Sequence, residues 1–109
     1  MMAKKEDILG FIGLARKAGK VASGTDSVTR AILTGSAKLL IVAEDVSANT
    51  VSKILDSVTY EIGMYRFATM EELGNALSTH PKGVIAITDE GFAAGIDKKL
   101  ATLRRKINE

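Results

Sequence analysis

The 109 residues contain no cysteine, no tryptophan, one histidine and one proline. Lacking thiols, the chain can build no disulfide framework, thiol nucleophile or cysteine-ligated zinc or iron–sulfur site, and it suits a reducing compartment. With His80 as the lone imidazole, neither a Ser-His-Asp constellation nor a nitrogen/sulfur metal site can be assembled. His80 precedes Pro81 in a helix-ending loop and reads as a surface residue. Phosphate cradles are missing too: Gly19-Lys20 lacks the glycine five residues earlier that a P-loop needs, and no G-x-G-x-x-G occurs. No apolar run reaches membrane-spanning length, and the opening Met1-Met2-Ala3-Lys4-Lys5-Glu6-Asp7 turns acidic too early for a signal peptide. These absences predict a cytoplasmic protein away from membranes, with no cofactor, no metal and no catalytic residues.

What is present is a foldable core. Apolar residues make up 46% of the chain, enough for one modest domain over residues 1–109. Net charge is only +2, but it is segregated. Residues 1–38 carry seven Lys/Arg against three acids, residues 39–97 three against nine, and residues 98–109 five against one. Basic ends around an acidic middle can form one positive face, a footprint of nucleic-acid binding that basic terminal helices on other proteins share.

Hydrophobic periodicity divides the chain. Residues 4–18 read as an amphipathic helix with Ile8, Phe11, Ile12, Ala15 and Ala18 inward, ending at Gly19. Gly10-Phe11-Ile12-Gly13 has the spacing of a GxxG nucleic-acid clamp, yet it lies inside a helix with an apolar centre and reads as close packing. Lys20-Val21-Ala22-Ser23 is a short strand. The next helix buries Val28, Ala31 and Ile32 and closes at Gly35. Lys38–Ala43 carries a continuous apolar run from Leu39 onward, the pattern of a central strand covered on both faces. Ser47 or Asn49 starts a helix with Val51, Ile54, Leu55 and Val58 inward. Met64–Phe67 is a more exposed strand. Thr69 and Glu72 form a capping box ahead of Leu73, Ala76 and Leu77, and His80-Pro81-Lys82-Gly83 breaks that helix. Val84–Thr88 is a second strongly apolar strand, and the last helix carries Phe92, Ile96, Leu100, Leu103 and Ile107 on one stripe, with Lys98, Lys99, Arg104, Arg105 and Lys106 opposite. The order α-β-α-β-α-β-α-β-α predicts an α/β fold: a single-domain three-layer α-β-α sandwich around a four-stranded mixed sheet.

The richest stretch is Gly24-Thr25-Asp26-Ser27-Val28-Thr29-Arg30. Ser23 or Thr25 can cap the helix here, leaving Asp26, Ser27 and Arg30 off the core at a helix start, whose free N–H groups suit a phosphate or a base edge. Taken alone, the stretch is more simply an ordinary capped helix with solvated polar residues, since such helices occur in most domains. Three loop-to-helix junctions, at Gly24, after Glu44-Asp45 and at Thr88–Gly91, follow strands; gathered at one sheet edge they would make a shallow groove with Lys20, Arg30 and Lys38 available for phosphates. The acid pairs Glu44-Asp45, Glu71-Glu72 and Asp89-Glu90 read as solvated loop or cap residues. Tyr60 and Tyr65 belong to no evident stacking platform.

With those residues set out, the chain resembles the kink-turn-binding ribosomal protein family named for the archaeal large-subunit protein L-seven-Ae, with L-thirty-e as a cousin. The pattern G-x-N-E-x-x-K-x-[IL]-x-x-G is met by Gly24-Thr25-Asp26-Ser27-Val28-Thr29-Arg30-Ala31-Ile32-Leu33-Thr34-Gly35. It continues through Ala37-Lys38-Leu39-Leu40-Ile41-Val42-Ala43-Glu44-Asp45-Val46 and, later, Glu71-Glu72-Leu73-Gly74. The resemblance implies an α-β-α sandwich that binds RNA kinked beside tandem G·A pairs. It places Asp26, Ser27 and Arg30 where the family's Asn, Glu and Lys contact guanines and backbone; two of the three depart from the pattern, while Arg30 keeps its charge. It also implies an apolar contact with an extruded base at Val51, and a second contact loop after the last strand at Thr88, Asp89, Glu90 and Gly91. Two carboxylates in that loop would weaken affinity for a phosphate backbone.

The expectation is a monomeric, non-catalytic binder of structured RNA, most simply ribosomal RNA, with ribosomal proteins as further partners. An interaction module that kept the fold and lost the RNA site is the alternative, prompted by Asp89-Glu90. A small enzyme using Glu44, Asp45 and Asp89 is the third reading.

Overall fold

Strand-length apolar runs separated by amphipathic segments give nine alternating elements. The structure, a computed structural model, describes residues 4–108 and side chains up to Leu103. The readings on Met1–Ala3 and on the side chains of Arg104, Arg105, Lys106 and Ile107 lie outside the described residues. Among these, helices α1 (Lys5–Lys17), α2 (Thr25–Leu33), α3 (Ala48–Ser57), α4 (Met70–Ala76) and α5 (Glu90–Asn108) alternate with strands β1 (Val21–Ser23), β2 (Leu39–Val42), β3 (Gly63–Arg66) and β4 (Val84–Ile87).

The sheet order is β1-β4-β2-β3, with β4 antiparallel to both β1 and β2 and β3 parallel to β2. The two continuously apolar strands are therefore the central pair. Their side chains alternate between faces. Leu39, Ile41, Ile85 and Ile87 join Ile8, Ile12, Leu73, Ile96 and Leu100 under α1, α4 and α5. Leu40, Val42, Val84 and Ala86 join Val28, Ala31, Ile32 and Ile54 under α2 and α3. Those two half-cores are the outer spaces of the expected three-layer sandwich.

Some local expectations are corrected. Ala18 is exposed at the end of α1. Leu55 is 52% exposed, because α3 meets α2 along the line of Ile54 and leaves its neighbour on the shoulder. Helix α4 ends at Ala76, before His80-Pro81, as the chain turns through Ser78 at φ 55°. Close packing holds for Gly13, where an added Cβ would lie 3.1 Å from the Ala76 carbonyl, but Gly10 faces open space.

The capping box is formed: Glu72 N–H donates to Thr69 Oγ1 at 3.1 Å and Thr69 N–H to Glu72 Oε1 at 2.9 Å. Glu72 also receives Lys5 Nζ at 2.7 Å, joining α4 to α1. That lysine bond, with the Thr69 N–H, holds the Glu72 carboxyl below the ordinary glutamate range; the same bond raises Lys5. A lowered acid pKa contributes stability that is present above the unfolded value and disappears as pH falls through the folded one. Because Gln can still complete the capping box, Glu72→Gln isolates the charge. The melting-temperature gap between wild type and Glu72→Gln is expected to be small and steady near neutrality and to close between the usual glutamate range and more acidic pH. On the alkaline side it closes as pH rises through the raised Lys5 value. Thermal melts followed by circular dichroism across pH read both limits.

Candidate nucleic-acid interface

Strand β1 stops at Ser23 and the chain turns through Gly24 at φ 89° into α2, a conformation that strongly favours glycine. Gly24 N–H donates to the Val84 carbonyl at 3.0 Å, fixing the helix start against the first residue of β4. Neither Ser23 nor Thr25 caps this helix: Gly24 is itself the N-cap and makes no side-chain cap bond. Ser23 is still in the strand, paired with Ile85, one position before the cap. By contrast, α3 is capped by Ser47, which accepts the Thr50 N–H at 3.2 Å.

Asp26, Ser27 and Arg30 are exposed, outside the subunit's own core. Arg30 lies between two grooves. One, about 660 Å3, runs beside edge strand β1 and includes Lys20, Ser27, Arg30 and Thr88. The other, about 520 Å3, lies between α2 and α3 and includes Thr25, Asp26, Arg30 and Lys53. Arg30 makes no ion pair among the described residues, leaving its guanidinium available to an outside partner. Val51 is half-buried in the first turn of α3, on the same end of the sheet as Gly24.

The expected convergence of three junctions is corrected. The junctions at Gly24 and Ser47 follow β1 and β2 and share one end of the sheet. Because β4 runs antiparallel to both, the Thr88–Gly91 junction leaves from the opposite end. There Thr88 N–H donates to the Lys20 carbonyl at 2.8 Å and Lys38 N–H to the Ile87 carbonyl at 2.7 Å. At the usual strand rise, Val84 and Thr88 are roughly 13 Å apart. Lys38 and Glu90 line a separate cleft with Asp97. So Gly24, Thr25, Asp26, Ser27, Arg30 and Val51 form one group, and Lys20, Lys38, Thr88, Asp89, Glu90 and Gly91 another, bridged by the groove along β1.

The acids have structural partners. Asp89 Oδ2 accepts the Phe92 N–H at 2.9 Å, capping α5. Asp45 Oδ1 accepts the Met70 N–H at 2.8 Å at the start of α4. Both carboxylates thus answer helix N–H groups that would otherwise lack partners. Asp89→Ala is expected to cost about 1 kcal/mol, lowering the melting temperature by roughly 4 °C. RNA affinity, read by gel shift, should stay level; a clear gain would place this loop against phosphates.

Lys82, unmarked by any motif in the sequence, joins this end of the sheet. The loop between α4 and β4 comes to the Gly24 turn, and Lys82 Nζ lies 3.8 Å from where a Cβ on Gly24 would sit. Gly83 packs so closely on Val46 that an added Cβ would be 2.6 Å from Val46 Cγ2, locking this loop to the one before α3. Lys82 therefore stands at the turn into α2, while Arg30 and Lys53 line the groove shared with Thr25 and Asp26. Among the described residues no group of three His, Cys, Asp or Glu side chains is placed to hold a metal ion, and no helix is long and apolar enough to cross a membrane.

A family model described as "Ribosomal protein L7Ae/L30e/S12e/Gadd45 family" matches residues 6–96. RNA-binding protein YlxQ of Bacillus subtilis (strain 168) is 37% identical over 84 residues, 76% of this chain and 84% of the relative. Large ribosomal subunit protein eL8 of Cenarchaeum symbiosum (strain A) is 35% identical over 102 residues, 92% of this chain and 81% of the relative. Among solved structures, a protein of unknown function from Bacillus halodurans C superimposes with a TM-score of 0.81 at 28% identity, covering 86% of this chain and 96% of that one.

Proposed function

The chain belongs to the ribosomal protein L7Ae/L30e/S12e/Gadd45 family, and from that premise we propose that it binds structured RNA at the start of α2 without catalysing a reaction. The observation that carries this reading is the exposed, uncapped helix start with Arg30 standing between two grooves. Unsatisfied N–H groups and the positive end of the helix dipole favour phosphate oxygens. Arg30 adds a planar donor fork that matches phosphate or the guanine O6/N7 edge. Asp26 accepts from guanine N1 and N2 donors, and Ser27 supplies one further contact. Lys53 and Lys82 add sequence-independent attraction. Val51 presents an apolar surface to a base turned out of the stack.

The finer reading is kinked RNA with tandem G·A pairs, most simply ribosomal RNA, bound by a monomer in a cytoplasmic, ribosome-associated setting with ribosomal proteins nearby. What supports it is the alignment of Gly24–Gly35 with the family's first motif and the names of the relatives, one an RNA-binding protein and one a ribosomal protein. A gel-shift panel tests it, comparing a kinked duplex, a straight duplex of equal length and a single strand at fixed salt. The kinked duplex should bind at least about tenfold more tightly, a difference of about 1.4 kcal/mol. Equal affinity for all three, micromolar or weaker, would remove the proposed specificity.

A further inference from the structure

We propose that the groove between α1 and α4 is a docking site for an acidic amphipathic helix of a protein partner. This groove, of about 480 Å3, lies on the sheet face opposite α2, away from the proposed RNA site. Its lining includes Leu9, Leu14 and Ala76, with Arg16 and Lys17 at the end of α1. Leu14 is 54% exposed, on a helix whose water-facing side otherwise carries polar residues. Gly10 opens onto the same groove with nothing within 4 Å of an added Cβ, so another backbone can approach α1 closely there.

Charge selects the occupant. The one carboxylate in the lining, Glu72, is already paired with Lys5. Arg16 and Lys17 are exposed and make no ion pair among the described residues. An apolar floor beside two free cations is complementary to a helix that presents leucine-like anchors at three-and-four spacing with carboxylates along its edge. A nucleic acid would satisfy the cations but leave the leucines covered by phosphate and sugar.

The 15N-labelled 109-residue chain can be titrated with a synthetic amphipathic peptide carrying leucines at that spacing and flanking glutamates. A scrambled peptide, a lysine-for-glutamate peptide and a straight RNA duplex serve as comparisons. The acidic peptide should move the amide signals of Leu9, Leu14 and Ala76 and leave α2 undisturbed. Leu14→Glu and the double variant Arg16→Glu/Lys17→Glu should each weaken it about tenfold or more, and the double variant should come to prefer the lysine peptide. If Leu14→Glu fails to fold, the charge-reversed pair, confined to exposed residues, carries the test. Equal binding of the scrambled peptide, shifts away from α1 and α4, no shifts at all, or the same shifts with the RNA duplex would each overturn the proposal. RNA binding measured with the Arg30 variant fails or holds separately.

Discussion

Replacing Arg30 with glutamate is expected to weaken binding to a kinked duplex by roughly a hundredfold while leaving the fold intact. A charge-assisted hydrogen bond contributes about 1.5–3 kcal/mol, and each 1.4 kcal/mol is tenfold in affinity. Glutamate removes that bond and sets a like charge against phosphate, so the effect lies toward the upper end. Arg30→Ala, which only removes the bond, should fall nearer tenfold. If Arg30 meets a phosphate, the slope of log affinity against log salt should become shallower by about 0.7–0.9; a guanine contact would instead relax the preference for the kinked sequence. Stability should move by no more than about 0.5 kcal/mol, because the side chain is exposed and makes no ion pair among the described residues. Filter binding at several salt concentrations and a thermal melt separate these effects. Unchanged affinity in Arg30→Glu would move the RNA off α2 altogether.

The features that could be read along the chain were those whose cause is local. A continuous apolar run gave β2 as a central strand and marked β4 as strongly apolar, and three-and-four spacing gave Ile8, Ile12 and Ile32 their inward faces. Thr69 and Glu72 make a capping box because both partners lie within one turn. Strand direction has no such local cause. The runs at Val21–Ser23 and Val84–Ile87 are equally compatible with either orientation, and only the pairing of β4 between β1 and β2 sends Thr88–Gly91 to the far end. The same pairing brings Lys82 to Gly24, a neighbour more than fifty positions away that nothing in His80-Pro81-Lys82-Gly83 announces. Asp26, Ser27 and Arg30 could be singled out because a glycine-led turn into a helix is written in consecutive residues.

The loop that carries Lys82 to Gly24 is pressed against α4 as well as Val46, and the contact with α4 makes Gly74 the most demanding glycine in the chain. An added Cβ there would sit 2.4 Å from the His80 carbonyl oxygen, 2.7 Å from its carbon and 2.8 Å from Pro81 Cα. All three are backbone atoms, so no side chain can swing aside. The loop is also held by the Thr79 N–H, which donates to the Gly74 carbonyl at 2.9 Å. In an exposed helix, alanine in place of glycine gains about 1 kcal/mol from propensity alone. At Gly74 the overpacking penalty should exceed that gain, giving a net loss of about 2 kcal/mol and a melting temperature lower by roughly 8 °C. Gly10→Ala is the matched control: it is also within a helix, but an added methyl meets open space, so the protein should become more stable by about 0.5–1 kcal/mol. The two variants should diverge in RNA binding as well. Displacing the loop at Gly74 carries Lys82 away from the start of α2, so affinity should drop along with stability, whereas Gly10→Ala, on the other face of the sheet, should leave it unchanged. Equal stability for Gly74→Ala and wild type would mean that the loop yields easily, and Lys82 would then have no fixed place beside Gly24.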